Sequence, residues 1–188
     1  MNSLSTLIYL FWALSEILIN RFMRSVAGDK KDKDKNSLAF IWITIVISMT
    51  LAIYISIKYY FPISPFHAIK FFGSGLIFTG VILRGIVISS LGKYFTADVT
   101  IRQGHQLKKD GFYKYLRHPS YSASLLSFIG FGISLNNWVS LIIVVVAILF
   151  AFIRRINVEE KALTEYFGQE YIDYKKSTFR LIPFVYWG

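Results

Sequence analysis

The stretch from Tyr121 to Ile153 carries no charged side chain, and an uninterrupted apolar run of that length points to a bilayer before anything else. It is too long for one crossing. Asn136-Asn137 falls near its middle and divides it into two arms of roughly 16 residues, each reaching about 24 Å at 1.5 Å per residue. That is a little short of a hydrocarbon core of about 30 Å. The pattern predicts a helical hairpin with a tight turn near the far interface, or a re-entrant pair that stops short of crossing. Three apolar regions precede it: Leu4 to about Ile19, with Glu16 near its end; Leu38 to about Tyr60, closed by Pro62 and Pro65; and Phe66 to Leu91, interrupted by Lys70 and Arg84. The expected fold is all-α, a polytopic membrane helix bundle of about five transmembrane helices near 4–19, 38–60, 66–91, 120–135 and 138–153. One integral membrane domain covers 1–188.

The charges that do occur lie in blocks between these runs. Residues 20–37 hold Arg21, Arg24, Lys30, Lys31, Lys33 and Lys35; residues 92–119 hold Lys93, Arg102, Lys108, Lys109, Lys114 and Arg117; the tail from 154 holds Arg154, Arg155, Lys161, Lys175, Lys176 and Arg180. With five spans all three blocks face one side, which the excess of Lys and Arg marks as cytoplasmic. The N-terminus is then outside, and the C-terminus and active site are cytoplasmic. A net charge of +10 in this arrangement speaks for anionic lipid headgroups, and nucleic acid is not expected as a partner. The chain has no cysteine, which excludes disulfides, thiolate metal sites and cysteine nucleophiles. The first apolar run lacks a basic leader and an obvious small-residue cleavage site, so it reads as a membrane helix and not as a signal peptide.

Chemistry concentrates in the segment 92–119, which is longer than a connector needs, and in 154–188. The first contains Gly104-His105-Gln106-Leu107, Gly111-Phe112-Tyr113 and Arg117-His118-Pro119-Ser120-Tyr121. Pro119 suits the first turn of the following helix, leaving Arg117 and His118 beside free backbone N–H groups, a place that holds anionic or polar ligands. Equally, Arg117 could snorkel to headgroups while His118 caps the helix. The second segment opens with Arg154-Arg155-Ile156-Asn157-Val158-Glu159-Glu160. Asn157 with Glu160 three residues later fits a helix N-cap and capping box, with Gly168 ending that helix. If the helix instead runs through without a break, Arg155 and Glu159 share a face at i, i+4. Arg84, inside an apolar span, is a functional candidate by its position, with Glu16 at similar depth as its conceivable partner. There is no Gly-x-Gly-x-x-Gly after a strand, no Walker-type loop and no His-Glu-x-x-His. The three histidines, His67, His105 and His118, are too scattered for an obvious zinc site, and no metal is expected.

The order Leu83-Arg84, Leu91-Gly92, Phe95, Gly104-His105-x-Leu107, Gly111-x-Tyr113, Arg117-His118-Pro119-x-Tyr121, an apolar hairpin, Glu159-Glu160, Phe167-Gly168-x-Glu170-Tyr171, Tyr174, Arg180 and Pro183 resembles the isoprenylcysteine carboxyl methyltransferase family of membrane enzymes. The resemblance covers roughly residues 80–185. It implies S-adenosylmethionine as methyl donor, with S-adenosylhomocysteine as product, held by cytoplasmic loops in a cleft covered by the C-terminal segment. Carried over by position, the cofactor contacts fall on His105, Gln106, Leu107, Lys108, Tyr113, His118, Pro119, Ser120, Tyr121 and Glu159. Arg155 matches the arginine facing the methyl acceptor, and Arg117 is the other candidate for that role; Arg155, Arg117 and Glu159 form the expected catalytic group, with Arg84 a second acceptor contact. Where the family often has Gly two residues after the Tyr of Arg-His-Pro-x-Tyr, this chain has Ala123.

The residues suit that chemistry. A sulfonium cation with a charged amino-acid end needs both a carboxylate and hydrogen-bond donors, and Glu159, the histidines and the tyrosines supply these. A carboxylate acceptor, ionised at neutral pH with an unperturbed pKa around 4, needs no general base, only loss of water and alignment. An arginine can provide the alignment through a bidentate contact. The expected reaction is carboxyl O-methylation of a lipophilic, isoprenylcysteine-like acceptor entering from the bilayer. A phospholipid amine or a thiol is the alternative acceptor, and a non-catalytic membrane scaffold the alternative from another class.

Overall fold

The charge-free stretch folds back on itself at the two asparagines. The computed structural model describes residues 3–22, 37–92 and 106–183. They form six α-helices: α1 (Ser3–Phe22), α2 (Ser37–Lys58), α3 (Ala68–Leu91), α4 (Pro119–Ser134), α5 (Trp138–Phe167) and α6 (Gln169–Ser177), with a 3₁₀ turn at Gly111–Lys114 before α4. The α4–α5 turn is built from side chains as much as from backbone. Asn136 takes the left-handed conformation at φ 51°, which asparagine tolerates better than most residues. Its Oδ1 accepts from the N–H groups of Ile63 and Ser64, and its Nδ2 donates to the Ser64 carbonyl. Asn137 caps α5 by accepting from Ser140 N at 3.0 Å, and its Nδ2 reaches the Tyr59 carbonyl at 2.8 Å. The hairpin turn is therefore tied to the α2–α3 connection, and the polar backbone there is satisfied from within the protein.

Among the described residues α2, α3 and α5 are long and apolar enough to cross a membrane, and Ser5–Ile19 within α1 is a shorter apolar helix. The outward faces of these helices are apolar too, with Ile43, Val46, Ile47, Phe72, Phe78, Ile142, Val146 and Phe150 all exposed. In water such a surface would aggregate, whereas in lipid it is the solvated surface. The chain is an integral membrane protein.

Helices α3 and α4 pack most extensively, and small residues permit it. A Cβ on Gly80 would come within 2.7 Å of the Ala123 carbonyl oxygen, and one on Gly130 within 2.6 Å of the Gly73 carbonyl oxygen. Close backbone approach of this kind is the usual means of helix association in lipid. Ser127 Oγ donates across the crossing to the Ile77 carbonyl at 3.2 Å. Helix α2 packs along α5, where Ser140 Oγ donates to the Ala52 carbonyl at 2.7 Å and Ala52, Val144, Ile148 and Ala151 are fully buried. Trp12 of α1 closes the other side, its ring 4.9 Å edge-on from Phe128 of α4.

One expectation is overturned. Asn157 caps nothing: α5 continues unbroken through it to Phe167. Its Oδ1 accepts instead from Arg180 Nη2, so the side chain does not compete with the helical backbone for local hydrogen bonds. At 30 residues and 1.5 Å per residue α5 is about 45 Å long, roughly 15 Å more than a hydrocarbon core requires. The charged part, from Arg154 onward, is about 21 Å long and continues beyond the charge-free arm as an unbroken helical extension. Gly168, at φ 57°, ends it, in a conformation that costs glycine little.

Candidate functional site

The unbroken extension of α5 sets the geometry. Arg155 and Glu159, one turn apart, share a face, while Glu160 is rotated about 100° from Glu159. The N-terminal end of α4, where Pro119 occupies the first turn, faces this extension and presents Arg117, His118 and Tyr121 to it.

Glu160 is closed in by cations. Its Oε1 lies 3.0 Å from Arg117 Nε and 3.2 Å from His118 Nε2, and its Oε2 lies 3.4 Å from Arg180 Nη2. Burial would raise the pKa of this carboxyl, but the bond to His118 and the charges of His118, Arg180 and Arg117 outweigh it and hold the group at about 2. Arg117 is buried and also donates through Nη1 to the carbonyls of Lys175, at 2.9 Å, and Thr178, at 2.5 Å. It does not snorkel to headgroups, because its donors are turned inward onto Glu160 and the tail. His118 stands at the N-cap position without a side-chain capping bond; its ring bonds Glu160 instead.

The tail is fastened along the same edge. Arg117 N donates to Phe179 O, His118 N to Arg180 O, and Phe179 N to Tyr115 O, at 2.8 to 3.2 Å. Tyr174 Oη donates to the Tyr113 carbonyl at 2.6 Å, and Ser122 Oγ donates to the Leu181 carbonyl.

Glu159 is different. About a third of its side chain is exposed, and its Oε2 accepts from Tyr121 Oη at 3.1 Å, with His118 Nδ1 at 3.9 Å. The Tyr121 ring stacks edge-on against Phe152, 5.1 Å away, and against the His118 ring, 5.9 Å away. Arg155, one turn earlier on α5, is buried and donates to Ser37 Oγ at 2.6 Å, so the first residue of α2 fixes its guanidinium. Neighbouring Arg154 lies over the Phe40 ring at 4.3 Å. The result is a partly open carboxylate with an aromatic wall, one helical turn from a buried guanidinium. A cation and a carboxylate-bearing molecule could be held side by side there.

The structure thus brings Arg155, Glu159, His118 and Tyr121 together, with Pro119 and Ser120 buried in the first turn beneath them. Tyr113 is buried; burial pushes its hydroxyl pKa up, the Glu159 charge adds to this, and Arg84 opposes it. Gln106, Leu107 and Lys108 lie on the strand of chain before the 3₁₀ turn, where Lys108 pairs with Asp110 at 2.9 Å. His105 lies outside the described residues. Arg84 turns toward the membrane helices: its Nε is 3.2 Å from Glu16, the partner its depth suggested, and its Nη1 donates to Ser120. Sequence reasoning gave Glu160 only a capping-box role beside Asn157, which the unbroken α5 removes, although the 100° step between adjacent helical residues already implied that two neighbouring glutamates face different surroundings. Ser37 left no signal at all. Among the described residues no group of His, Cys, Asp or Glu could hold a metal ion.

Comparison with known proteins adds to this geometry. Residues 73–165 match the model of the isoprenylcysteine carboxyl methyltransferase (ICMT) family. The chain is 37% identical over 116 residues to protein-S-isoprenylcysteine O-methyltransferase B of Arabidopsis thaliana, covering 61% of this chain and 59% of that one. It is 37% identical over 115 residues to protein-S-isoprenylcysteine O-methyltransferase of Saccharomyces cerevisiae, covering 60% and 48%. In three dimensions it is similar to a solved structure of the eukaryotic intramembrane Ras methyltransferase ICMT, with a TM-score of 0.60 and 27% identity over 79% of this chain and 51% of that one. The matches thus span about half to three fifths of the length of these relatives. Through the matched segment that carries Arg117, His118, Tyr121, Arg155 and Glu159, the chain belongs to the isoprenylcysteine carboxyl methyltransferase family.

Proposed function

We propose that the chain is an integral membrane methyltransferase that uses S-adenosylmethionine to methylate the carboxylate of a lipophilic, isoprenylcysteine-like acceptor. The observation that carries this reading is the Glu159 carboxylate, left partly open beside Tyr121 while its neighbour Glu160 is fully engaged. The residues fit the donor: a carboxylate and two aromatic faces suit a cationic group, and His118 and Tyr121 add polar edges. When bound, S-adenosylmethionine supplies a methyl group on a sulfonium cation. Glu159 binds the positive end of the donor, with His118, Tyr121, Tyr113, Pro119 and Ser120 around it and His105, Gln106, Leu107 and Lys108 contributed by the preceding loop. Arg155, pre-set by Ser37, orients the acceptor carboxylate, with Arg84 deeper on the membrane side; Arg117, spent on Glu160 and the tail carbonyls, supports the site from behind. No residue need take a proton from an acceptor that is already ionised. The apolar helices on one side and the tail at 178–181 on the other restrict water, which strengthens both contacts.

The three basic blocks orient the catalytic segments 92–119 and 154–188 to the cytoplasm. Because the chain contains no cysteine, a single Cys placed in 169–177 reports this directly. It should react with an impermeant thiol reagent only after the membrane is opened from the cytoplasmic side.

The decisive test is isothermal titration of S-adenosylhomocysteine into detergent-purified protein, followed by methyl transfer to an S-prenylated N-acetylcysteine. Micromolar binding to the wild type and its loss in Glu159→Ala support the donor site. Transfer to the free acid but not to its amide supports the carboxylate acceptor, and Arg155→Ala should lose transfer while keeping donor affinity. Donor affinity that survives Glu159→Ala unchanged would sink the assignment of Glu159.

A further inference from the structure

Arg84 lies in a span whose other charged residue, Lys70, is near its start, and its bonds leave α3 in two directions. Nη1 donates to both the carbonyl and the hydroxyl oxygen of Ser120, each at 3.0 Å, and Nε lies 3.2 Å from Glu16 Oε1 on α1. The two side chains are only 15% and 17% exposed. Ser120 belongs to the first turn of α4, between Pro119 and Tyr121. A guanidinium is therefore held against the positive end of a helix, which the helix dipole opposes, in surroundings that screen charge weakly. Glu16 brings that pair to net zero. The charge on Arg84 also reaches the site, since it acts on the same Tyr113 hydroxyl as the charge on Glu159, and in the opposite direction.

We infer that Glu16 is a charge-balancing positioning residue for the methyl-donor site: its carboxylate cancels the Arg84 cation beside the α4 N-terminus, so that the pocket around Glu159 admits a cationic ligand. This rests on the donor reading above. Glu16 lies on α1, outside the segment 73–165 that matches the family model, so the inference extends the site to a helix beyond that match. Without Glu16, an uncompensated positive charge would stand next to the place where a sulfonium must sit.

S-adenosylmethionine and S-adenosylhomocysteine differ by one methyl group and hence by one positive charge at sulfur, so the ratio of their affinities reads the local charge. Both are titrated calorimetrically into the full chain in detergent. Glu16→Gln, which keeps the shape and removes the charge, should weaken S-adenosylmethionine about tenfold relative to S-adenosylhomocysteine, the scale of one unit charge acting through a partly screened interior. Arg84→Gln, which leaves Glu16 uncompensated, should move the ratio the other way, and the double variant should return it to the wild-type value. Should Glu16→Gln fail to fold, the sign of the Arg84→Gln shift and the value for the double variant still decide the matter. Equal loss of both ligands would reduce Glu16 to a structural contact and overturn the inference, as would an unmoved ratio. Wild-type protein that binds neither ligand would overturn the donor reading itself, and this inference with it.

Discussion

Glu159 and Glu160 are adjacent in the chain and live in opposite surroundings. Glu160 meets Arg117, Arg180 and His118 within 3.4 Å and is 12% exposed. Glu159 is 32% exposed and meets the Tyr121 hydroxyl, with His118 Nδ1 at 3.9 Å. The same carboxylate is a fastener on one face of the α5 extension and a partly open group on the next. The fastened face joins α5, the start of α4 and the tail into one body; the other face, backed by it, can keep an open carboxylate in place. Here a satisfied charge cluster holds the scaffold on which the open carboxylate stands.

The contrast predicts where stability and binding separate. Glu160→Ala leaves the buried Arg117 guanidinium without its carboxylate, and removing one partner of a buried pair costs about 3–5 kcal/mol. Thermal unfolding in detergent should show a large fall in midpoint, with donor binding lost as a consequence. Glu159→Ala should leave stability within about 1 kcal/mol of wild type, as for a partly exposed side chain, and lose donor binding outright. Equal destabilisation by the two variants would break the distinction.

Acid sharpens it further. The folded-state pKa of Glu160 is depressed to about 2 from an ordinary value of 4.5, so its contribution is fully present above pH 4.5 and is lost as the pH falls from there toward 2. Denaturant midpoints measured across that window should decline in the wild type and flatten in Glu160→Gln. A wild-type profile that stays level down to pH 2 would remove Glu160 from its fastening role.

A smaller effect should strike both faces together. Gly80 lets α3 approach α4 so closely that an added Cβ would meet the Ala123 carbonyl oxygen at 2.7 Å. Gly80→Ala must push α4 outward, at about 1–3 kcal/mol for overpacking. Because His118 and Tyr121 ride on α4, stability and donor affinity should fall in step. Loss of only one of them would mean that the two faces are positioned independently.

Much of this was legible in the sequence wherever the signal was local or compositional. Apolar length placed the helices, Asn136-Asn137 placed the turn, Gly168 marked the end of α5, and the matching depths of Glu16 and Arg84 suggested their pairing. The sequence misled at Asn157, where a good local cap was available and a distant guanidinium, that of Arg180, claimed the side chain instead. It was silent where partners are far apart in the chain. Arg117 finds its carbonyls at Lys175 and Thr178, and Arg155 finds Ser37; no spacing rule connects such positions, because only the packing of α2 on α5 and of the tail on α4 brings them together.

The smallest change isolates the open face alone. Tyr121→Phe deletes the hydroxyl that Glu159 accepts at 3.1 Å and keeps the ring that packs on Phe152, so the core is left as it was. Hydrogen bonds to a charged group are worth about 1.5–3 kcal/mol, but here the carboxylate is exposed enough for water to replace the hydroxyl. The remaining cost is one of orientation: without Tyr121 the Glu159 side chain samples other rotamers and must be ordered again when a ligand arrives, at about 0.5–1.5 kcal/mol. Donor affinity should therefore fall several-fold while the unfolding midpoint stays put. Calorimetry and thermal melts on the same preparation read both. An affinity identical to wild type would mean that Glu159 is positioned by the helix backbone alone, and the open face would then owe nothing to α4.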